Sequence, residues 1–264
     1  MTFENLNNVN LKLILGSPDT ITVKDGTTYD QGTTTATVSF TNIENLYLQD
    51  SVGGAAEKLS VTLSGSGTNA VLAGTSSGDT LTLASVTYNA SQIWGQQGAD
   101  TITGGAGIDT IRGGAGADII KGNAGQDFIY GGAGADDIFF TNQSHYGANF
   151  AASKHDTIYA FTTTSDEMKF SGANFTGVAE SDNITKTTSK TGNADLVVAA
   201  WNGATVSAGH ANQRFMYDVS SGGLYYDGDG SGNTNTPILL ALMLNAAGDN
   251  VISDLAAADI EIVA

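Results

Sequence analysis

Five contiguous nine-residue repeats between residues 95 and 139 constrain the fold of this chain more than any other feature. They begin at Gly95 and read GQQGADTIT, GGAGIDTIR, GGAGADIIK, GNAGQDFIY and GGAGADDIF. Asp occupies the sixth position of every repeat and Ile the eighth. A glycine-rich flexible linker does not hold two residue types at fixed positions over five units, so the segment is interpreted as a stacked repeat structure.

The two halves of the nonapeptide predict different local structures. Its first six residues are too rich in glycine for a helix or a strand, but glycine allows tight turns whose carbonyl groups face inward. Its last three residues predict a short strand whose Ile side chain faces a core. Since each repeat reverses the chain, two repeats make one coil of 18 residues. One edge then carries Asp100, Asp118 and Asp136, and the other carries Asp109 and Asp127.

The stacked Asp residues indicate a bound cation. Carboxylates on neighbouring strands, roughly 4.8 Å apart, repel each other unless positive charge lies between them. Calcium suits such a site better than magnesium because it accepts irregular sets of carboxylate and carbonyl oxygens. The chain has 27 acidic and 10 basic residues, a formal charge of -17, and no Cys. Stabilisation by metal rather than by disulfides is therefore expected.

The repeat resembles the GGxGxDxUx pattern of the RTX family, calcium-binding proteins that bacteria export by type I secretion. The resemblance covers residues 95–139 and implies an all-β fold built on a parallel β-roll. It also implies several bound calcium ions, about three to five. In that family the earlier loop of a pair offers its first and third carbonyls and its Asp. The later loop offers its second and fourth carbonyls and its Asp.

The resemblance implies three complete ligand sets and the beginning of a fourth. The first set is Gly95, Gln97, Asp100, Gly114, Gly116 and Asp118. The second is Gly104, Ala106, Asp109, Asn123, Gly125 and Asp127, and the third is Gly113, Ala115, Asp118, Gly132, Gly134 and Asp136. A fourth would join Gly122, Ala124 and Asp127 to Asp156, for which a surface Asp in a turn is the alternative. Gln96 and Asn123 depart from the consensus glycine, and both retain their carbonyl groups.

The sequences on either side predict two further regions. Alternating segments such as ATVSF and KLSVTLS indicate a β-rich, β-helix-like extension over residues 1–94. Within it, SGSGTNAVL and GDTLT look like degenerate repeats without intact calcium loops. Residues 140–264 are expected to form a β-sandwich-like cap, whose last fifty residues resemble the C-terminal region of type I secretion substrates. In that region DGDGSG opens like an EF-hand loop, but Ile238 stands where such a loop needs Glu.

Other functional classes find little support in the sequence. The zinc-protease motif HExxH is absent, and GTSSG from Gly74 matches the serine-hydrolase pattern as chance allows in a Gly- and Ser-rich chain. Lys and Arg do not cluster, which argues against nucleic acid as a partner. The longest apolar run, from Ile238 to Leu244, is too short for a transmembrane segment. The start MTFENLNNVN does not read as a Sec signal peptide.

The sequence and its resemblance therefore predict a non-enzymatic, calcium-dependent folding module of a secreted bacterial surface protein. Its Thr, Ser, Ala and Asn-rich extension favours an S-layer-like protein. Its expected partners are calcium, the type I secretion apparatus through the C-terminal region, and either its own copies or a cell-surface polysaccharide. Two alternatives remain open. One is a glycan-binding module in which Trp94, Trp201, Tyr225 and Tyr226 stack on sugar rings, although burial in a β-sheet core is the commoner situation for such residues. The other is the C-terminal part of a secreted RTX enzyme or adhesin whose activity lies upstream.

Overall fold

The structure is a computed structural model whose described residues form two compact units, Met1–Asp136 and Asp137–Ala264. It describes residues 2–4, 12–14, 20–24, 36–41, 45–49, 59–64, 69–84, 90–145, 155–175, 177–178, 186–187, 195–199, 213–230, 237–248, 252 and 255–264. Among them, the chain forms no helix with the length and hydrophobicity needed to cross a bilayer. The all-β fold class predicted from the sequence is confirmed.

The first unit is a coil of strands that enter two parallel sheets in alternation. One sheet holds β1 (Thr2–Glu4), β3 (Thr20–Lys24), β5 (Asn45–Gln49), β7 (Asn69–Ala73), β9 (Ala90–Gln97), β11 (Ile108–Ala115) and β13 (Phe128–Ala133). The other holds β2 (Lys12–Ile14), β4 (Ala36–Thr41), β6 (Leu59–Ser64), β8 (Thr80–Ala84), β10 (Thr101–Thr103) and β12 (Ile119–Lys121). Because the order never changes, the strands N-terminal to the repeats continue the same coil.

The Ile residues of the repeats form the core between these sheets. Ile102 pairs with Ile120 on one side and with Leu81 on the other. In the opposite sheet Ile111 pairs with Ile129. The side chains of these four Ile residues and of Leu81 are all buried. Since strand side chains alternate between faces, one apolar residue per repeat is enough to give each coil a continuous inner surface.

The structure corrects the expectation that the first six residues of a repeat are not strand. Strands β9, β11 and β13 run three residues into the following repeat, and Gly114 pairs with both Gln96 and Gly132. A parallel ladder supplies backbone hydrogen bonds to each coil, and these hold even glycine in extended conformation. On the other sheet, β10 and β12 cover only the last three positions, as predicted.

The second unit contains a mixed sheet and a parallel sheet. The mixed sheet has the order β15 (Asp156–Tyr159), β21 (Ile238–Leu244), β20 (Gly223–Tyr226), β19 (Phe215–Asp218), β18 (Leu196–Ala199) and β17 (Lys186–Thr187). Among these described strands, the β21–β20 and β20–β19 pairs are antiparallel and the other pairs are parallel. The parallel sheet has the order β14 (Asp137–Phe140), β16 (Glu167–Ser171) and β22 (Ile260–Val263).

Aromatic side chains from both sheets meet in the core of this unit. The ring of Phe170 stacks on Phe140 at 4.7 Å and lies 4.7 Å from Phe215 of the mixed sheet. Phe175 and Tyr226 complete the cluster, with their ring centroids 5.0 Å apart. Two sheets that bury aromatic side chains between them have the layered arrangement of a β-sandwich.

Candidate metal centre

The Asp residues of the five repeats are all buried, although each carries an ionisable carboxyl group. Asp100, Asp109 and Asp118 are each 1% exposed, and Asp127 and Asp136 are 0% exposed. A carboxylate removed from water is strongly destabilising unless it is neutralised by a proton, an ion partner or a metal. The buried Asp residues are therefore the feature of the first unit that most needs a chemical explanation.

Backbone amides hold one oxygen of these carboxylates in place. The Asp100 N–H donates to Oδ1 of Asp118 at 2.8 Å, and the Asp118 N–H donates to Oδ1 of Asp136 at 3.0 Å. On the other edge the Asp109 N–H donates to Oδ1 of Asp127 at 2.9 Å. Each pair is 18 residues apart, so the structure brings together the Asp pairs that the repeat predicts.

The second carboxylate oxygen, Oδ2, lacks such a hydrogen bond in two of these residues. The Oδ2 atoms of Asp100 and Asp118 are buried and accept no hydrogen bond. A Cβ atom built on Gly95 would lie 2.3 Å from Oδ2 of Asp100 and 2.4 Å from the Gly113 carbonyl oxygen. Two oxygens thus converge on a space that only glycine leaves open. Such oxygen-rich surroundings suit a hard cation, and calcium in particular.

The loop backbone turns its carbonyl groups through residues of positive φ. The second position has positive φ in four repeats and the fourth position in the same four: Gln96 (85°), Asn123 (72°), Gly114 (120°), Gly132 (117°), Gly98 (108°), Gly116 (140°), Gly125 (144°) and Gly134 (144°). Glycine adopts this region readily, whereas Gln does so at a cost in energy. Asn123 gains a compensating contact, because its Nδ2 donates to the Gly104 carbonyl at 2.8 Å.

Burial changes the acidity of these groups. It raises the pKa of Asp100 to about 7, and the nearby Asp118 carboxylate adds to the increase. Burial likewise raises the pKa of Asp109, Asp118 and Asp127. Without a cation, burial and the neighbouring carboxylates therefore shift these groups towards the protonated form, as expected for like charges held in a poorly solvated site.

The ligand assignment itself stays a prediction. The loops bring the three predicted Asp pairs together. Asp156 begins β15 in the second unit and is 2% exposed, so the alternative of a surface Asp does not describe it. Within the described residues, no three His, Cys, Asp or Glu side chains group together as a metal site.

The sequence predicted GDTLT to be a degenerate repeat, but not that its Asp79 continues this series of buried Asp residues. Asp79 is 2% exposed, and its N–H donates to Oδ1 of Asp100 at 2.6 Å, over a separation of 21 residues. It is the sixth residue of GTSSGDTLT, the segment that the sequence pattern also matched to a serine hydrolase. In the structure this segment is the loop between β7 and β8 together with the start of β8. The sequence signal for this loop was Asp at the sixth position and Leu at the eighth. It was hard to recognise because 21 residues, rather than 18, separate Asp79 from Asp100.

The aromatic residues proposed for sugar binding have different positions. Tyr226 is a core residue with 0% exposure, so the suggestion that it stacks on a sugar ring is wrong. Tyr225 is partly buried and packs against Val197 and Met216. Trp201 lies outside the described residues. Trp94 is partly exposed on β9 and lines a cavity of about 690 Å³ with Gln92, Gln96, Arg112 and Gly114.

Comparison with known protein families agrees with this geometry. The RTX calcium-binding nonapeptide repeat matches residues 90–111 and 113–142, with four copies. No curated protein matches the chain. The matched segment contains all five buried repeat Asp residues and the loops that hold them. The chain therefore carries RTX calcium-binding nonapeptide repeats, a calcium-binding structural module.

Proposed function

We propose that the chain is a calcium-dependent folding module of a secreted bacterial surface protein exported by type I secretion. The observation that supports this most directly is the burial of Asp100 and Asp118, whose Oδ2 atoms accept no hydrogen bond. Bound calcium supplies the positive charge that such carboxylates need. RTX repeat proteins are typically secreted, which agrees with this proposal.

The mechanism couples folding to the compartment. In a low-calcium cytosol the repeat carboxylates repel one another, and the net charge of -17 adds to the repulsion. Outside the cell, calcium near ~1 mM would saturate sites whose dissociation constants are on the order of 10⁻⁴ to 10⁻³ M, as in other extracellular modules. Loops that fold only around bound ions would then keep the chain unfolded until it has been exported.

The proposed division of labour follows the three regions of the sequence. Residues 95–139 bind calcium through the ligand sets given above, and residues 1–94 extend the coil. Residues 140–264 form the cap and carry the export signal. An S-layer-like role rests on the composition of the extension alone, and assembly with further copies of the chain is its expected consequence.

Removal of calcium tests the proposal. Excess chelator should abolish most of the β-sheet circular dichroism of residues 95–139, and added Ca²⁺ should restore it. Magnesium at the same concentration serves as the control, because its small octahedral shell does not fit a carbonyl-rich loop. An unchanged spectrum in excess chelator would contradict calcium-dependent folding.

A second candidate function is glycan binding at the outer face of the first unit. Trp94 and Arg112 are direct partners across β9 and β11, and Arg112 and Tyr130 are partners across β11 and β13. The guanidinium carbon of Arg112 lies 4.5 Å from the Tyr130 ring centroid. Aromatic faces flanked by Gln amides and a guanidinium suit sugar rings and their hydroxyl or carboxylate groups.

A glycan array in the presence of calcium separates this function from a purely structural role. Trp94→Ala should reduce binding at least tenfold, because the partly exposed indole ring is the largest face in the cavity. Arg112→Gln should weaken binding of acidic glycans much more than of neutral ones. If the wild-type protein retains no glycan, or if both variants bind as it does, the cavity is not a glycan site.

A further inference from the structure

Residues 74–79 form a loop that has the position of an additional repeat. Its sequence, GTSSGD, has Gly at the first position and Asp at the sixth, but Thr75 and Ser77 replace the consensus glycines. The backbone of Asp79 is joined to the next loop, because Thr101 N–H donates to its carbonyl at 2.7 Å. The bond from Asp79 N–H to Asp100 repeats the one that joins Asp100 to Asp118. This loop therefore lies directly before the Asp100 loop on the same edge.

The loop of residues 104–109 offers a matched comparison, because it is the first repeat loop on the opposite edge. There the Gly105 N–H donates to Oδ2 of Asp109 at 2.8 Å. In residues 74–79 the Thr75 N–H donates to Oδ2 of Asp79 at 2.7 Å. A Cβ atom on Gly104 would lie 2.8 Å from Asp109 Oδ2, and one on Gly74 would lie 2.7 Å from Asp79 Oδ2. The two loops thus share one backbone arrangement around the carboxylate.

The side chain of Thr75 is what distinguishes them. Its Oγ1 donates to Oδ2 of Asp79 at 2.9 Å and accepts a hydrogen bond from the Ser77 N–H at 3.2 Å. The same position in the five repeats holds Gln96, Gly105, Gly114, Asn123 or Gly132, none of which has a hydroxyl group. Oδ2 of Asp79 therefore accepts two hydrogen bonds from one residue, whereas Oδ2 of Asp100 accepts none.

We propose that the Thr75 hydroxyl takes the place of calcium at Asp79, so that residues 74–79 form a metal-free loop directly before the Asp100 loop. A buried carboxylate oxygen that receives both an N–H and an O–H donor is satisfied without a cation. This inference rests on the proposed function, in which the loops after it bind calcium. The metal-free loop adjoins the first calcium-binding loop on this edge and gives the Asp100 loop a preformed surface on which to fold.

Counting bound calcium in the metal-saturated full chain tests the inference. Asp79→Asn should leave the number of ions per chain unchanged, because wild-type Asp79 holds none. Thr75→Gly removes the hydroxyl and places glycine at the second position, as in residues 104–109, so it should add one ion per chain. Loss of one ion in Asp79→Asn, or no gain in Thr75→Gly, would overturn the proposal.

Thr75→Ser is the matched control, because it keeps the hydroxyl group and removes only a methyl group. It should bind the same number of ions as the wild type; a gain would mean that the methyl group, not the hydroxyl, excludes calcium. Circular dichroism in calcium verifies that all variants fold.

Hydrogen exchange in excess chelator separates this inference from the proposed function. The Thr75 amide should exchange at least tenfold more slowly than the Gly105 amide, since only its loop is complete without metal. Equal exchange rates would overturn the metal-free loop. The proposed function fails instead if the wild-type chain binds no calcium at all.

Discussion

At the scale of single residues, the repeat Asp side chains respond to protons and to calcium in the same place. Burial raises the pKa of Asp100 from 3.8 to about 7 in the folded, metal-free loop. A raised folded-state pKa means that this group stabilises the fold below its unfolded pKa. That contribution is lost as the pH rises through the folded pKa. Protons should therefore substitute partly for calcium.

The first prediction concerns this pH dependence. In excess chelator, β-sheet circular dichroism should increase as the pH is lowered from 8 towards 4, because the buried carboxyl groups become protonated. In saturating calcium the trend should reverse, since protons compete with the metal for the same oxygens and release it. Each titration serves as the control for the other, because the two differ only in the presence of calcium. A metal-free chain that loses structure steadily over this pH range would contradict the assigned pKa direction.

The second prediction concerns the two non-glycine residues at positive φ. Gln96→Gly should raise the free energy of unfolding by about 1 kcal/mol, because it relieves a left-handed conformation that L-residues adopt at a cost. Asn123→Gly should give no such gain, because Asn tolerates that region and its amide bonds the Gly104 carbonyl. Urea unfolding in saturating calcium measures both. Equal stabilisation by the two changes would mean that the amide contact is unimportant.

At the scale of loops and strands, neighbouring coils share their metal ligands. In the predicted ligand sets Asp118 belongs to two sites, whereas Asp136 belongs to one. Asp118→Asn should therefore lower the number of bound calcium ions by two, and Asp136→Asn by one. Isothermal titration with calcium counts the ions that each variant binds. Each variant differs from the wild type only in that an amide nitrogen replaces one carboxylate oxygen. A loss of one ion in each variant would show that Asp118 does not bridge two sites.

The sequence was sufficient to predict the coil wherever the repeat length is constant. Asp and Ile at fixed positions predicted the two edges and the core, because strand pairing at 18 residues places equal positions above one another. GDTLT was recognised only as a degenerate repeat, and the loop of Asp79 was not aligned with the others because 21 residues separate Asp79 from Asp100 and because Ser and Thr replace two glycines. The sequence also could not single out Tyr226 as the fully buried member of the aromatic set, since burial depends on which distant strands cover a side chain.

At the scale of the whole molecule, the second unit limits how the predicted export signal can be tested. Residues 215–264 include β19, β20, β21 and β22, and these strands contribute Phe215 and Tyr226 to the aromatic core. Deleting them removes the predicted signal and a large part of this core together. A secretion defect after deletion therefore needs a second variant that damages the core and leaves the signal sequence almost intact.

The last prediction uses such a pair of variants on a passenger protein in a strain that has a type I apparatus. A fusion to residues 137–264 should appear in calcium-containing medium, whereas a fusion to residues 137–214 should remain in the cells. Phe215→Asp places a charge among Phe170 and Tyr226, which should unfold the unit because a charge without a partner is buried there. The chain is expected to leave the cell before it folds, so this variant should still be exported. Export of the fusion to residues 137–214 would move the signal out of the last fifty residues. Retention of Phe215→Asp inside the cell would mean that export requires the folded unit.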